Sequence, residues 1–312
     1  MGPESQGGVV VNRMSKYSLM VLGGTAMLAG CGDNPSRVKV NVPPVEEGTA
    51  VTETPGYEAN PMVSPDGIWV VFEADVDGDM EIYRIPVGGG EPEQLTDNSD
   101  FDSSPCWSPD GSFIAFESDR TGRKHIYVLD PQDPAGSVTA LTAGDWDDGS
   151  PAWSPLGGWI AFESNRNKIQ GTDIYLVAED GTETRRVTET ADYSYSRSAD
   201  WSPQGSRLVF ESNRTGFSAL FTVAVTGGAA VQITADEGYE GHPAWSPVGG
   251  RIAFESTASG SSQIHLVGET GGAWTQVTFQ GGFWPQWTAA GDALVYCVYD
   301  GVNADVRIVP VD

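Results

Sequence analysis

Between residues 46 and 312 the apolar positions fall in short runs that alternate with small or polar neighbours, the period of a strand rather than of a helix. Each run is bounded by Ser-Pro-x-Gly or by clusters of Thr, Asp and Gly that favour tight turns. The runs recur in one order: a Trp-Ser-Pro-x-Gly turn, an apolar stretch ending Phe-Glu-Ser, an Ile-Tyr pair and a Leu-Thr pair. This order repeats six times, centred on Val63, Trp107, Trp153, Trp201, Trp245 and Trp287, at spacings of 44, 46, 48, 44 and 42 residues. A period of this length with several short strands per unit predicts the blades of a β-propeller.

In the second repeat, Pro105-Cys106-Trp107 reads as the innermost strand, with further strands over 113–118, 126–129 and 138–142. In the turn at 108–111 the proline presets φ, the aspartate bonds its own backbone and the glycine accepts positive φ. Phe72, Phe116, Phe162, Phe210, Phe254 and Tyr296, with the Trp series, are expected to pack between blades. The last repeat stops after three strands, at 306–311. Val51-Thr52 lies 12 residues ahead of Val63, as Leu95 and Leu141 lie 12 ahead of Trp107 and Trp153. The leading strand is therefore expected to complete the last blade and remove the open sheet edges. The predicted fold is all-β: a monomeric six-bladed β-propeller of four-stranded blades over residues 46–312, closed by its N-terminal strand.

The runs SPDGSFIAFESDRTGRKHIYVLD (108–130) and SPQGSRLVFESNRTGFSALF (202–221) resemble the repeats of the TolB-type propeller, the WD40-like or PD40 family. The likeness covers nearly all of residues 46–312. It implies the fold and, by the family's example, a module that binds an envelope protein. Two departures stand beside it. TolB carries an α/β domain before its propeller, which does not fit into residues 32–45, and TolB is a soluble periplasmic protein.

This chain instead opens with an address. Arg13 and Lys16 precede an apolar run over 19–29, and Leu28-Ala29-Gly30-Cys31 resembles the lipobox of bacterial lipoproteins. The resemblance implies cleavage before Cys31 and lipid attachment to it; ordinary signal cleavage beside an incidental cysteine is the alternative. Residues 1–30 read as the signal peptide, with Met14 a second candidate start, and 31–45 as a lipidated, proline-containing tether. The expected location is the bacterial cell envelope, at the outer membrane facing the periplasm.

A net charge of −26, with only 17 Lys and Arg, argues against a nucleic-acid partner and is compatible with a basic protein, a cationic ligand or solubility alone. Cys106 and Cys297 fall in blades separated by blade 1, so they read as buried thiols and not as a disulfide.

The candidate site is the face carrying the loops that enter each innermost strand. Every such loop holds an aromatic: Tyr57, Phe101, Trp146, Tyr195, Tyr239 and Phe283. Glu58, Asp102, Asp147 and Glu240 follow directly in four, and His242 and Trp284 stand close by. An aromatic and carboxylate rim suits a cation, a sugar or basic protein side chains; the plainer account has the aromatics pinning the loops and the acids solvated. The repeated Glu73, Glu117, Glu163, Glu211 and Glu255 lie one strand outside the axis, with neighbours roughly 10 Å apart on a ~4.8 Å strand spacing. They are too far apart to share a Ca²⁺, whose ligands lie at ~2.3–2.6 Å, so they are expected to accept hydrogen bonds from the adjacent loop or to pair with Arg120, Arg166 or Arg214. Asp75, Asp77 and Asp79 leave room only for a weak surface Ca²⁺ site, and no other cofactor is expected. Three histidines and the lack of a G-x-S-x-G motif give no catalytic set. Oligogalacturonate lyases, which use a related propeller, rely on a histidine-rich metal site missing here, and no segment reads as the hydrolase domain of prolyl-oligopeptidase-type enzymes. The expected function is a lipid-anchored, protein-binding envelope module rather than an enzyme; a carbohydrate-binding or carbohydrate-active propeller is the alternative.

Overall fold

The computed structural model describes residues 48–52, 56–76, 78–235 and 238–311. Cys31, the signal and tether segments, and Asp77 lie outside the described residues. Among those described, 24 strands form six four-stranded antiparallel sheets, with one single-turn helix, Pro134–Ser137. Blade 1 runs outward from Glu58–Val63 through Trp69–Ala74 and Glu81–Pro86 to Glu93–Gln94. Blades 2 to 5 begin at Asp102–Trp107, Asp148–Trp153, Ser196–Trp201 and Glu240–Trp245. No described helix is long and apolar enough to cross a membrane.

Blade 6 comprises Phe283–Trp287, Ala293–Tyr299 and Ala304–Pro310, and its fourth strand is Thr49–Ala50 from the other end of the chain. The ring closes as expected, and the chemistry shows why Val51-Thr52 carried the signal. In blade 2 the Leu141 N–H donates to the Ile126 carbonyl at 2.8 Å, and the Ile126 N–H donates to Thr142 Oγ1 at 3.0 Å. Leu95-Thr96, Val187-Thr188, Ile233-Thr234 and Val277-Thr278 bracket their third strands in the same way. Val51 donates to the Val306 carbonyl at 2.8 Å, and Thr52 Oγ1 accepts from the Val306 N–H at 2.9 Å. The apolar-Thr pair is thus a latch on the third strand, and its sixth copy joins the two ends of the ring.

The Ser-Pro-x-Gly turns are built as expected: Ser64 Oγ accepts the Trp69 N–H at 2.9 Å, and Gly67 sits at φ 73°, where a side chain would be strained. The repeated Phe is fully buried and lies against the third-strand aromatic of its own blade, as with Phe72 and Tyr83 at 6.0 Å. Apolar clusters then join neighbouring blades: Phe72 and Tyr83 pack with Val295, Cys297 and Val306 of blade 6. Cys106 and Cys297 are buried and free.

The inner strands differ from expectation. They begin three residues earlier than Pro105-Cys106-Trp107 implies, at the acidic residue itself. A proline normally limits a strand because it cannot donate to the ladder. Here each proline sits in a bulge: Asn60 and Pro61 together oppose Phe72, between the Ala59–Glu73 and Met62–Val71 pairs. The missing N–H costs nothing there, and the strand runs on.

Candidate functional site

The bulges build a ring around the channel. Asn60, Ser104, Ser150, Ser198, His242 and Trp284 occupy the same position in successive inner strands, and all six have φ between 46° and 54°. Left-handed backbone is unfavourable for residues with a Cβ, so a fixed partner is needed. For three of the six the repeated glutamate supplies it across the blade boundary. Glu73 accepts the Ser104 N–H at 2.6 Å, Glu117 the Ser150 N–H at 2.8 Å and Glu211 the His242 N–H at 3.0 Å. These carboxylates do accept hydrogen bonds across the blade boundary, as expected, but from the bulge of the next inner strand and not from the crossover loop before it. Pairing with Arg120, Arg166 or Arg214 is not. Those guanidiniums lie on the rings of their own blades, Arg120 over Tyr127 at 4.8 Å, for example. They reach Asp102, Asp148 and Ser196 at 2.8 to 2.9 Å, because the first residue of the inner strand is the group beside them. Glu117 pairs with Lys124 at 2.5 Å and Glu211 with Arg197.

The ring residues line a cavity of about 160 Å³ on the channel axis, with Met62, Cys106, Ala152, Asp200 and Gln286 one layer deeper. Its walls are unequal. Blades 1 to 4 contribute Asn60 and three serines, while blades 5 and 6 contribute His242 and Trp284. The Trp284 Nε1–H donates to His242 Nε2 at 3.1 Å. An indole N–H can only donate, so Nε2 is unprotonated and the proton sits on Nδ1. Nδ1 lies 3.1 Å from Glu255 Oε2 and 3.3 Å from the Tyr239 hydroxyl, which itself donates to Glu211 Oε2 at 3.0 Å. Burial alone would lower the His242 pKa; the hydrogen bond and charge of Glu255, with Glu211 behind it, leave it above its ordinary value. Burial also pushes Glu73 and Glu163 up to about 7 and Asp200 up to about 6.

The expected rim residues separate into two groups. Tyr57, Tyr239, His242, Phe283 and Trp284 come together: Trp284 meets Tyr57 at 6.2 Å, His242 at 5.7 Å and Phe283 at 5.7 Å, and Tyr239 meets His242 at 6.3 Å. Phe101, Trp146 and Tyr195 already carry cations of this chain, Lys124, Arg166 and Arg197 at 5.4, 4.9 and 4.5 Å. The acids do not form an exposed rim. Glu58, Asp102 and Glu240 are at most 1% exposed, and Glu58 accepts from Thr52 Oγ1. The strand register makes Asp148 the counterpart of Asp102; Asp147 lies one residue earlier, half-exposed, on Arg123 and Asn165 at 3.2 and 3.0 Å. Of the acidic triplet at 75–79, Asp75 Oδ1 accepts the Gly78 N–H at 3.1 Å. Among the described residues no group of three His, Cys, Asp or Glu is placed to hold a metal ion.

Residues 34–144 and 189–312 match the TolB β-propeller domain. The chain belongs to the TolB β-propeller family. Residues 108–216 also match the N-terminal region of dipeptidyl peptidase IV. No curated protein matches the chain. Among solved structures, a TolB-type protein from Agrobacterium tumefaciens is similar with a TM-score of 0.68 at 23% identity, over 84% of this chain and 93% of that one. TolB from Acinetobacter baumannii gives 0.65 at 21%, over 82% of this chain and 64% of that one. An oligogalacturonate lyase in complex with manganese gives 0.56 at 14%, over 86% and 95%. At these identities the similarity shows the fold.

Within this TolB-family propeller, sequence reasoning missed Asn60, Ser104, Ser150, Ser198, Asp200 and Gln286 as cavity residues. One signal was present: in five of six repeats the ring residue immediately precedes a proline, Pro61, Pro105, Pro151, Pro243 or Pro285, with Ala199 the exception.

Proposed function

We propose that this chain is a lipid-anchored envelope propeller that binds a protein partner across the face bearing the ring cavity. The observation that carries the reading is the asymmetric mouth, a hydroxyl wall facing an aromatic wall, with buried carboxylates between the blades around it. On the same face, in the loops flanking blades 3 and 4, Ile169, Tyr193 and Phe217 are 72%, 66% and 67% exposed. Large apolar side chains grouped on one face favour protein contact. The lipobox-like Leu28-Ala29-Gly30-Cys31 supports the anchor, and an outer-membrane location facing the periplasm follows from that reading.

Capture from detergent-solubilised envelopes tests the proposal. The full chain should retain a partner, and Tyr193→Asp with Phe217→Asp should release it while leaving the melting temperature unchanged. Retention by that double variant would sink the docking face. Radiolabelled palmitate should enter the wild-type chain and not the Cys31→Ala variant.

The same mouth supports a second reading, a carbohydrate ligand, because Trp284 lines it together with Ser104, Ser150 and Ser198. Silence on a glycan array, together with no turnover of polysaccharides, would retire it.

A further inference from the structure

We infer that the mouth cavity receives one cationic side chain, a lysine or arginine, projected by the protein partner. The inference rests on the protein-binding reading above and names the chemistry of its contact.

The cavity floor holds Asp200, whose Oδ2 accepts the Trp245 N–H at 2.6 Å. Among the described residues no Lys, Arg or His forms an ion pair with it. The corresponding positions in the other blades are Met62, Cys106, Ala152, Ala244 and Gln286, none of them ionised at neutral pH. A single carboxylate set among such groups keeps its charge only at a desolvation cost. That cost is visible in its pKa, raised to about 6 by burial. An incoming ammonium or guanidinium would supply the missing counter-charge.

The walls favour the same ligand. Phe101, Trp146 and Tyr195 are already covered by cations of this chain, whereas the ring contacts of Trp284 are to Tyr57, His242 and Phe283. Its lining surface, with that of Trp153, is thus the aromatic surface left for a cation from outside. Ser104, Ser150, Ser198 and Asn60 add oxygen acceptors opposite. Glu117, Glu211 and Glu255 stand between the blades beside the ring, paired with Lys124, Arg197 and His242, and Asp200 has no such partner. A volume of about 160 Å³ admits a side chain and excludes a helix, whose own diameter is roughly 10–12 Å.

NMR titration of the full chain with Nα-acetyl-lysine methylamide, its arginine counterpart and the neutral norleucine counterpart tests the inference. The two cations should bind with millimolar affinity and shift the Trp284 indole resonance, and norleucine should bind at least tenfold more weakly. Asp200→Asn, which keeps an acceptor for the Trp245 N–H, should weaken the lysine probe at least tenfold. Ser150→Lys, which places a tethered ammonium at the mouth, should abolish its binding and decides the matter if Asp200→Asn fails to fold. Equal binding of norleucine, or unaltered lysine binding in the folded variants, overturns the inference. Partner capture that persists in Asp200→Asn overturns it too while leaving the docking face intact; loss of capture only in the Tyr193/Phe217 variant bears on the docking face alone.

Discussion

Glu117 accepts from three groups at once: the Ser150 N–H of the next blade at 2.8 Å, the Ser103 hydroxyl at 2.8 Å and Lys124 Nζ at 2.5 Å. Glu117→Ala should therefore cost about 1–3 kcal/mol, since it leaves the part-buried Ser150 N–H without its acceptor and takes the carboxylate from a Lys124 whose side chain is 29% exposed. Glu117→Gln keeps acceptors for the N–H and the hydroxyl and should cost distinctly less, in urea unfolding of both variants. Equal costs would mean the carboxylate is not the staple. The sequence reading reached half of this. A strand spacing was enough to deny the five glutamates a shared ion and to send them to the adjacent loop. It could not say that their partner is a left-handed residue, because nothing in Ser104-Pro105 or Ser150-Pro151 announces a positive φ. The same blind spot placed Glu58, Asp102 and Glu240 on an exposed rim: a proline that would end an ordinary strand lies in a bulge, and the acids continue the strand into the interior.

At the scale of one strand, the latch formed by the apolar-Thr pair made the closure readable. Its spacing to the next inner strand is set by a crossover loop of nearly constant length, so the pattern survived in a segment of only a few residues. Thr52→Val removes the acceptor of the buried Val306 N–H and should cost about 1–3 kcal/mol. Thr142→Val makes the same change within blade 2, against the Ile126 N–H. The two differ in what they join. Thr142 links strands of one hairpin, whereas Thr52 links residues some 254 positions apart. Thr52→Val should accordingly speed limited proteolysis at both chain ends, and Thr142→Val should not. Identical cleavage in the two variants would argue that the ring does not depend on this latch. Blade 3 shows where regular spacing stops informing: its loop over 165–172 is longer, and Lys168 reaches the Thr190 carbonyl and Asp173 from within it. No repeat-based reading contains that contact, because no other blade has the residue.

Across the whole molecule, the buried acids make stability depend on pH in a direction opposite to the common one. A carboxyl group whose pKa is raised by folding holds a proton in the native state that it gives up in the unfolded chain, so stability falls as pH rises through the interval between the two values. For Glu73 and Glu163 that interval runs from the ordinary carboxylate range near 4 to about 7, and for Asp200 to about 6. His242 adds the same sign: raised in the fold, its contribution is complete below the unfolded histidine pKa and is lost as pH climbs past the folded one. The surface works in parallel, since protonation reduces the repulsion within a net charge of −26. The chain should therefore melt several degrees higher at pH 5.5 than at pH 8, at roughly 2–4 °C per kcal/mol for a domain of this class. Salt separates the two sources. Half-molar salt screens exposed charges and leaves buried ones largely unscreened, so the part of the pH slope that persists in high salt belongs to the channel. Asp200→Asn and Glu163→Gln should flatten that persistent part in scanning calorimetry. A melting temperature that rises from pH 5.5 to pH 8 would show instead that the channel carboxylates are ionised and already balanced in the free protein, and with that the case for a cation from outside would fall.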